Sequence, residues 1–170
     1  IDKGQAAWFH QQLQTVCNDF NANYYPEFKQ WADDYFFIKH RNETRGVGGI
    51  FFDRLQQTED VSLQNRFEFV QAVGNAFAPI YTNLIALNKD KTFTSEQKQW
   101  QNIRRGRYVE FNLVYDKGTK FGLDTNGRIE SILMSLPHNA SWPYNFIPQA
   151  QSKEEETLQL LKKGVDWVNY

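Results

Sequence analysis

The stretch that decides the fold is RRGRYVEFNLVYDKGTKFGLDTNGRIESILMSLP, which occupies residues 104–137. Within it, the side chains of residues 107–116 alternate in character, with Val109 and Phe111 on one side and Glu110 on the other. A period of two is typical of a strand with one apolar and one polar face. We therefore expect residues 107–116 to form a β-strand.

Two turn signals follow this expected strand. Gly118 and Gly127 close the dipeptides Lys-Gly and Asn-Gly, and glycine tolerates the positive φ that two-residue hairpin loops require. Residues 119–123 and 128–136 are then the second and third strands of an antiparallel meander. Because amphipathic helical patterns flank the meander, the expected fold class is α+β, with an antiparallel β-sheet flanked by α-helices.

Helical periodicity predicts three long helices, at residues 8–20, 25–36 and 62–87. Pro79 is expected to kink or break the third, because proline removes an internal hydrogen bond. The inward face of that helix is expected to hold Leu63, Phe67, Val70, Val73, Phe77, Leu84 and Leu87. Thr94 and Ser152 each begin a capping box that opens a further helix. Residues 46–53, with β-branched and aromatic side chains, are expected to form a strand.

Length and charge narrow the class of protein. With 170 residues, 41% of them hydrophobic, the chain is long enough for a core of its own, and we expect residues 1–170 to form a single domain. A net charge of −1 gives no overall basic field, so no nucleic-acid partner is expected. No apolar run approaches the roughly 20 residues of a membrane span, so we expect no membrane-spanning segment. The single cysteine, Cys17, fits a reducing cytoplasm.

Basic side chains are concentrated in and around the expected meander, at Arg104, Arg105, Arg107 and Arg128. Guanidinium groups bind carboxylates bidentately, so this cluster could hold a substrate that carries several carboxylates. The alternative is that the arginines pair within the protein, with Glu110, Glu130 and helix termini.

Two further polar groups have both a structural and a functional interpretation. Asp116, just before Lys-Gly, is either a turn former that accepts local N–H groups or a carboxylate facing a pocket, where it could accept from N–H donors and act as a general base. His10 and His40 lie 30 residues apart, which is no metal-ligand spacing by itself. A lone histidine at a helix end is more often a capping or core residue than a ligand.

Two long blocks carry a family resemblance. Residues 104–137, together with KQWADDYFFIKHRNETRGVGGIFFD at residues 29–53, resemble the signature regions of oxygen-dependent coproporphyrinogen III oxidases, in the family's order. The similarity runs from about Phe9 to Val168, so the resemblance implies the C-terminal part of that fold. The family's first half would precede Ile1, and we expect the chain to begin inside a larger protein.

The resemblance implies an activity. Members of the family convert coproporphyrinogen III to protoporphyrinogen IX in haem biosynthesis, by oxidative decarboxylation of two propionates to vinyl groups with molecular oxygen and without an organic cofactor. We therefore expect a cytoplasmic oxidoreductase. Because the family's N-terminal half is absent from this chain, the alternative is a non-catalytic tetrapyrrole-binding or dimerisation module.

The resemblance also assigns residues. It implies substrate contacts at Asn126, Gly127 and Arg128, and it favours the same role for Arg104, Arg105 and Arg107. It makes Asp116 the catalytic residue, although Lys117 stands where the family often has arginine, which removes a bidentate fork. His10 and His40 match two of four histidines that bind a divalent metal in bacterial members, and two ligands alone would not hold an ion firmly.

The last expectation is a homodimer. The meander has apolar residues on both faces, and an exposed strand edge of that kind is usually covered or paired. The resembling family uses the same region for a two-fold contact. The residues expected in the interface are Tyr108, Phe111, Leu113, Leu133 and Trp142.

Overall fold

The computed structural model describes residues 1–170 as a mostly helical chain with one small sheet. The α-helices are α1 (Lys3–Asn18), α2 (Tyr24–Tyr35), α3 (Leu63–Asn88), α4 (Ser95–Val114), α5 (Lys117–Asp124), α6 (Ile129–Leu133) and α7 (Lys153–Leu160). Strand β1 (Phe37–Ile38) pairs antiparallel with β2 (Glu43–Thr44), and a 3-10 helix, Lys39–Arg41, connects the two strands. The predicted α+β class, an antiparallel sheet flanked by helices, is confirmed.

The predicted position of the sheet is wrong. Residues 107–114 belong to helix α4, and the two segments expected as further strands contain the short helices α5 and α6. The residues that α4 buries include Ile103, Gly106 and Phe111, which recur at helical spacing and not at every second position. The helix begins at the predicted capping box, where Thr94 accepts from the backbone of Gln97, and it continues past the point where alternation begins.

The two predicted hairpin turns have different outcomes. Gly118 lies in the first turn of α5, so the predicted reversal there is wrong. The Asn-Gly turn is present, but it joins two helices: Asn126 has a left-handed φ of 57°, and the N–H of Gly127 donates to the Gly122 carbonyl oxygen at 2.8 Å. This is a Schellman-type end for α5. A Cβ on Gly127 would lie 2.7 Å from that same oxygen, so the close approach requires glycine.

Helices α1 and α2 confirm the helical periodicity. At the start of α7, Ser152 accepts from the N–H of Glu155 as predicted, but the Glu155 carboxylate accepts from the N–H of Gln151 and not from that of Ser152, so the capping box is only half formed. Helix α3 is continuous through Pro79, so it does not break into two helices there, and the alternative, a kink at Pro79, stays a prediction. Its predicted inward face is also largely wrong, because Phe69 and Ile80 are the buried residues, and Phe77 is 68% exposed. Both sides of α3 are apolar, so periodicity alone did not distinguish them.

Residues 46–53 form no strand. Gly48 and Gly49 have positive φ angles, and the segment then runs extended along the core, where the N–H of Phe51 donates to the carbonyl oxygen of Phe28 at 3.0 Å. The β-branched and aromatic side chains of this segment therefore pack against helices and not within a sheet.

The chain divides into two compact units. The first comprises residues 1–35, 47–91 and 163–170, and contains α1, α2 and α3 around a core that includes Cys17, Phe28 and Phe69. Burial raises the pKa of the Cys17 thiol to about 11, as expected for a core cysteine with no reactive role. The single domain expected for residues 1–170 stays a prediction.

The second unit comprises residues 36–46 and 92–162, and contains the sheet and α4 to α7. Its buried side chains include Ile38, Ile103 and Phe111. The N–H of Thr44 donates to the carbonyl oxygen of Leu161 at 2.9 Å, which attaches the sheet to the end of α7. None of the helices in either unit combines the length and apolar character that crossing a bilayer requires.

Candidate functional site

A single carboxylate in the second unit gathers donors from three parts of the chain. Glu110, on α4, accepts five hydrogen bonds. Its Oε1 accepts from Arg41 Nη2 (2.8 Å), Arg107 Nη1 (2.8 Å) and Trp142 Nε1 (2.9 Å), and its Oε2 accepts from His40 Nε2 (2.7 Å) and Arg41 Nε (2.9 Å). We call these five residues, His40, Arg41, Arg107, Glu110 and Trp142, the Glu110 cluster.

Local backbone geometry brings the two donors of the 3-10 helix to α4. The helix ends at Asn42, whose left-handed φ of 54° reverses the chain, so that β2 returns alongside β1. The turn therefore holds His40 and Arg41 at one end of the sheet, and β1 in turn packs against α4.

A glycine on α4 lets the indole N–H of Trp142 approach Glu110. A Cβ at Gly106 on α4 would lie 2.7 Å from the carbonyl oxygen of Ser141 and 3.2 Å from the ring of Trp142. The loop that carries Trp142 can therefore lie directly on the helix, where its indole N–H reaches Glu110.

We predict that Gly106→Ala lowers the free energy of unfolding by up to about 2 kcal/mol, because an overpacking cost of about 1–3 kcal/mol is offset by a helix-propensity gain of about 1 kcal/mol. Gly74→Ala on α3 is the matched control, since nothing lies within 4 Å of its Cβ position. That variant should gain up to about 1 kcal/mol. Urea denaturation measures both, and a stabilised Gly106→Ala variant contradicts the close approach of the loop.

The cluster holds its carboxylate ionised. Burial alone would raise the pKa of Glu110, but the hydrogen bonds from Arg41 and His40 and the nearby charge of Arg107 hold that pKa at about 2. Because a carboxylate only accepts, Nε2 of His40 carries the proton in this contact. The other ring nitrogen, Nδ1, lies 2.8 Å from the hydroxyl oxygen of Tyr115.

A second carboxylate continues the network. Glu43 accepts from Arg104 Nη1 at 2.9 Å and lies 3.5 Å from Nε of Arg107. Burial lowers the pKa of Arg104, and the charge of Glu43 opposes this shift. Three arginines therefore converge on two carboxylates. Arg107 pairs with Glu110 as the structural alternative predicted, and Arg104 pairs with Glu43, which that alternative did not name.

Exposure separates the members of this network. The side chains of Glu110 and Arg107 are each 11% exposed, whereas those of His40 and Arg41 are 42% and 39% exposed. The arrangement can therefore present the remaining N–H donors of Arg41 to a solvent-borne anion while covering the carboxylate that orients its guanidinium.

Sequence reasoning missed Arg45. Its guanidinium carbon lies 4.3 Å from the ring centre of Phe36 and 5.1 Å from those of Tyr108 and Phe111. Cation–π contact holds this arginine flat against an aromatic surface of the second unit. Its position in the quoted block at residues 29–53 is the only sequence signal that could have singled it out.

The other predicted substrate residues lie in the same unit. Arg105 forms no ion pair in the structure, and neither does Arg128, which stands at the N-cap of α6 without a side-chain capping bond. Asn126 and Gly127 form the turn that precedes it. A guanidinium next to a turn and a helix N-terminus is a chemically suitable carboxylate holder.

Asp116 caps α5. Its Oδ2 accepts from the backbone N–H of Thr119 at 2.7 Å and from the hydroxyl of Thr119 at 2.9 Å. The local turn-forming interpretation of the sequence therefore describes what this carboxylate does in the structure, and its catalytic role stays a prediction.

The histidines predicted as metal ligands lie in different units. His10 is fully buried in the first unit, where Nε2 donates to the Val47 carbonyl oxygen and Nδ1 accepts from the hydroxyl of Tyr25, both at 2.9 Å. Burial lowers the pKa of His10, which keeps the ring neutral. Both nitrogens of His10 and both of His40 have partners, and no group of three or more metal-ligating side chains is present, so this arrangement does not fit a metal centre.

The residues predicted for dimerisation differ in exposure. Phe111 is fully buried in the core of its unit, so it lies out of reach of a partner in this arrangement. Tyr108 lies beneath the guanidinium of Arg45. Leu113, Leu133 and Trp142 are exposed.

Comparison with known proteins gives consistent matches. The family model described as coproporphyrinogen III oxidase matches residues 1–167. The chain is 50% identical over 164 residues to the oxygen-dependent coproporphyrinogen-III oxidase of Drosophila melanogaster, covering 96% of this chain and 41% of that protein.

Two further relatives have similar sequence identities to this chain. The mitochondrial oxidase of Homo sapiens is 51% identical over 169 residues, which cover 99% of this chain and 37% of that protein. The chloroplastic oxidase of Hordeum vulgare is 49% identical over 160 residues, which cover 94% and 40%. The chain thus spans about two fifths of the length of these curated relatives.

Proposed function

The chain belongs to the coproporphyrinogen III oxidase family, and we propose on that premise that it is part of an enzyme that converts coproporphyrinogen III to protoporphyrinogen IX in haem biosynthesis. The observation that carries the proposal is the family match over residues 1–167. In the proposed reaction, each of two propionates loses carbon dioxide, a proton and two electrons to become a vinyl group, and for each propionate one molecule of oxygen accepts the two electrons and is reduced to hydrogen peroxide.

The chemistry of the second unit supports this substrate class. Coproporphyrinogen III carries four propionates, and the partly exposed Arg41 offers guanidinium donors of the kind that carboxylates bind. We infer that Arg128 and the preceding turn hold another propionate, and that Asp116 accepts a proton from a pyrrole N–H as the ring is oxidised.

The direct test is product formation by the full-length polypeptide that contains this chain. Incubation with coproporphyrinogen III in air should give protoporphyrinogen IX, and incubation under argon should give none. Product formed at the same rate under argon would contradict the oxygen dependence.

A second candidate function is a non-catalytic tetrapyrrole-binding or dimerisation module. The two proposals differ in the behaviour of the 170-residue chain by itself. Tetrapyrrole binding without turnover by this chain, combined with an intact cellular polypeptide of the same mass, would favour the module.

The substrate role of Arg128 leads to a prediction. Arg128→Ala should raise KM about 10- to 150-fold with little change in kcat, because a charge-assisted bond of about 1.5–3 kcal/mol is lost. Lys98→Ala, on an exposed part of α4, is the control and should keep the wild-type KM. An unchanged KM in Arg128→Ala, with substrate dissociation shown to be fast, removes Arg128 from the site.

We also propose that the enzyme is a homodimer whose interface includes Leu133. Leu113, Val114, Phe121, Ile129, Leu133 and Met134 are exposed apolar side chains around the end of α4, α5 and α6. A second copy would remove this surface from water. Its members belong to helices and not to the strands first expected.

Leu133→Asp is therefore expected to convert a dimer into a monomer or an aggregate. Leu87→Asp is the matched control, because Leu87 is an exposed leucine on α3 outside the proposed interface. Sedimentation velocity at micromolar concentration measures the outcome. A wild-type protein that sediments as a clean monomer contradicts the proposal.

A divalent-metal role for His10 and His40 stays a prediction, and elemental analysis of the purified full-length protein tests it. No step of the proposed chemistry depends on such an ion. Cytoplasmic localisation also stays a prediction, tested by cell fractionation, while the relatives from Homo sapiens and Hordeum vulgare are named as mitochondrial and chloroplastic.

A further inference from the structure

We propose that Glu110 is a positioning residue for the reaction, which orients Arg41 toward a carboxylate of the substrate. This inference rests on the proposed function and deepens it. It concerns a residue that touches other side chains of the protein and not the substrate, because only 11% of its side chain is exposed.

The first argument is the difference in exposure within the Glu110 cluster. The carboxylate is covered, yet His40 and Arg41, which it binds directly, are each about two fifths exposed. Arg41 is held by a bidentate fork, with Nε at 2.9 Å and Nη2 at 2.8 Å from the two carboxylate oxygens. A bidentate contact fixes the plane of the guanidinium, and therefore the direction of its remaining N–H donors.

The second argument is charge. Arg41 and Arg107 both donate to Oε1 of Glu110, so two like charges converge on one atom. Without the carboxylate they would repel each other in a partly buried setting. The other carboxylate of the network, Glu43, binds Arg104 and lies against Arg107, whereas the bidentate contact of Arg41 is with Glu110.

The third argument is the separation of the connected segments. Glu110 lies 70 residues from His40 and 32 residues from Trp142, and it bonds to both. Loss of this carboxylate therefore removes one charged attachment to α4 from both the 3-10 helix and the Trp142 loop. If Glu110 positions its donors by charge, a small free carboxylate can take its place in a variant that lacks it. Added carboxylate cannot repair a packing defect.

The test uses Glu110→Ala in the full-length polypeptide, with coproporphyrinogen III and oxygen as substrates. The substitution removes a group equivalent in size and charge to acetate. We expect kcat/KM to fall at least about tenfold, since two charged donors lose their partner. Acetate at roughly 0.1 M should restore most of the lost activity, and acetamide, the neutral isostere, should not.

Wild-type enzyme with acetate is the control and should show no gain. A folded Glu110→Ala variant with wild-type kcat/KM, or one whose lost activity acetate and acetamide restore equally, overturns the positioning role. If Glu110→Ala does not fold, Glu110→Gln supplies the test, because it keeps the shape and loses the charge. A folded Gln variant should still lose at least about tenfold in kcat/KM, and wild-type kcat/KM in that variant overturns the inference.

The two levels of the proposal fail differently. An active wild type with an unaffected Glu110 variant overturns the positioning role alone. A full-length wild type that does not convert coproporphyrinogen III overturns the proposed function and, with it, the role assigned to Glu110.

Discussion

Asp116→Asn is expected to lower the turnover number of the full-length enzyme by about 100-fold or more while leaving its fold intact. Asparagine caps helices as well as aspartate does, so the contact with the N–H of Thr119 that begins α5 should persist. The amide cannot accept a proton from a pyrrole N–H as a carboxylate can. Single-turnover kinetics, with circular dichroism as the fold check, measures the effect.

Thr119→Val is the matched control for this substitution. It removes the hydroxyl that donates to Asp116 at 2.9 Å, but it keeps both the carboxylate and the backbone N–H. Turnover should stay close to that of the wild type. A folded Asp116→Asn protein with wild-type turnover would mean that Asp116 serves only to cap α5.

The second large effect concerns the core of the first unit. Phe69→Ala should lower the free energy of unfolding by about 3–5 kcal/mol, the usual cost of deleting a fully buried aromatic side chain. The ring of Phe69 is fully buried, with ring centres of Tyr24 at 4.8 Å and Phe52 at 5.1 Å. Urea denaturation of the 170-residue chain or of the full-length protein gives the value.

Phe77→Ala on the same helix is the matched control. Its side chain is 68% exposed, so its truncation should cost less than about 1 kcal/mol. A larger loss for Phe77→Ala than for Phe69→Ala would reverse the assignment of the buried face of α3. It would restore the face that helical periodicity alone predicted.

Local sequence signals predicted the elements whose ends carry capping chemistry. Thr94 and Ser152 open α4 and α7 as expected, since a side-chain oxygen bonded to the third backbone N–H is specified within four residues. Positions inside α4 were misassigned because residues 107–116 satisfy both a period of two and a helical period. The helix that begins at the Thr94 cap continues without interruption to Val114, so residues 107–114 are helical. The alternation within residues 107–116 does not show that a helix already precedes them.

The site shows the corresponding limit for function. The positions of the arginines in the sequence predicted that Arg107 belongs to a basic cluster, and Glu110 was among the ion-pair partners that the sequence indicated. The bonds from His40 and Arg41 to Glu110 join residues about 70 positions apart, so they depend on the tertiary fold and not on any local pattern. Sequence patterns therefore indicated the pair of Arg107 and Glu110 but not that His40, Arg41 and Trp142 also bind this carboxylate.

The most direct test of the account is the stoichiometry of the reaction catalysed by the full-length polypeptide that contains this chain. Oxygen uptake, carbon dioxide release and product mass would be followed together during turnover of coproporphyrinogen III. The account predicts two molecules of oxygen consumed and two of carbon dioxide released for each protoporphyrinogen IX formed. Binding of the substrate without oxygen uptake or carbon dioxide release, by a folded and complete protein, would contradict it.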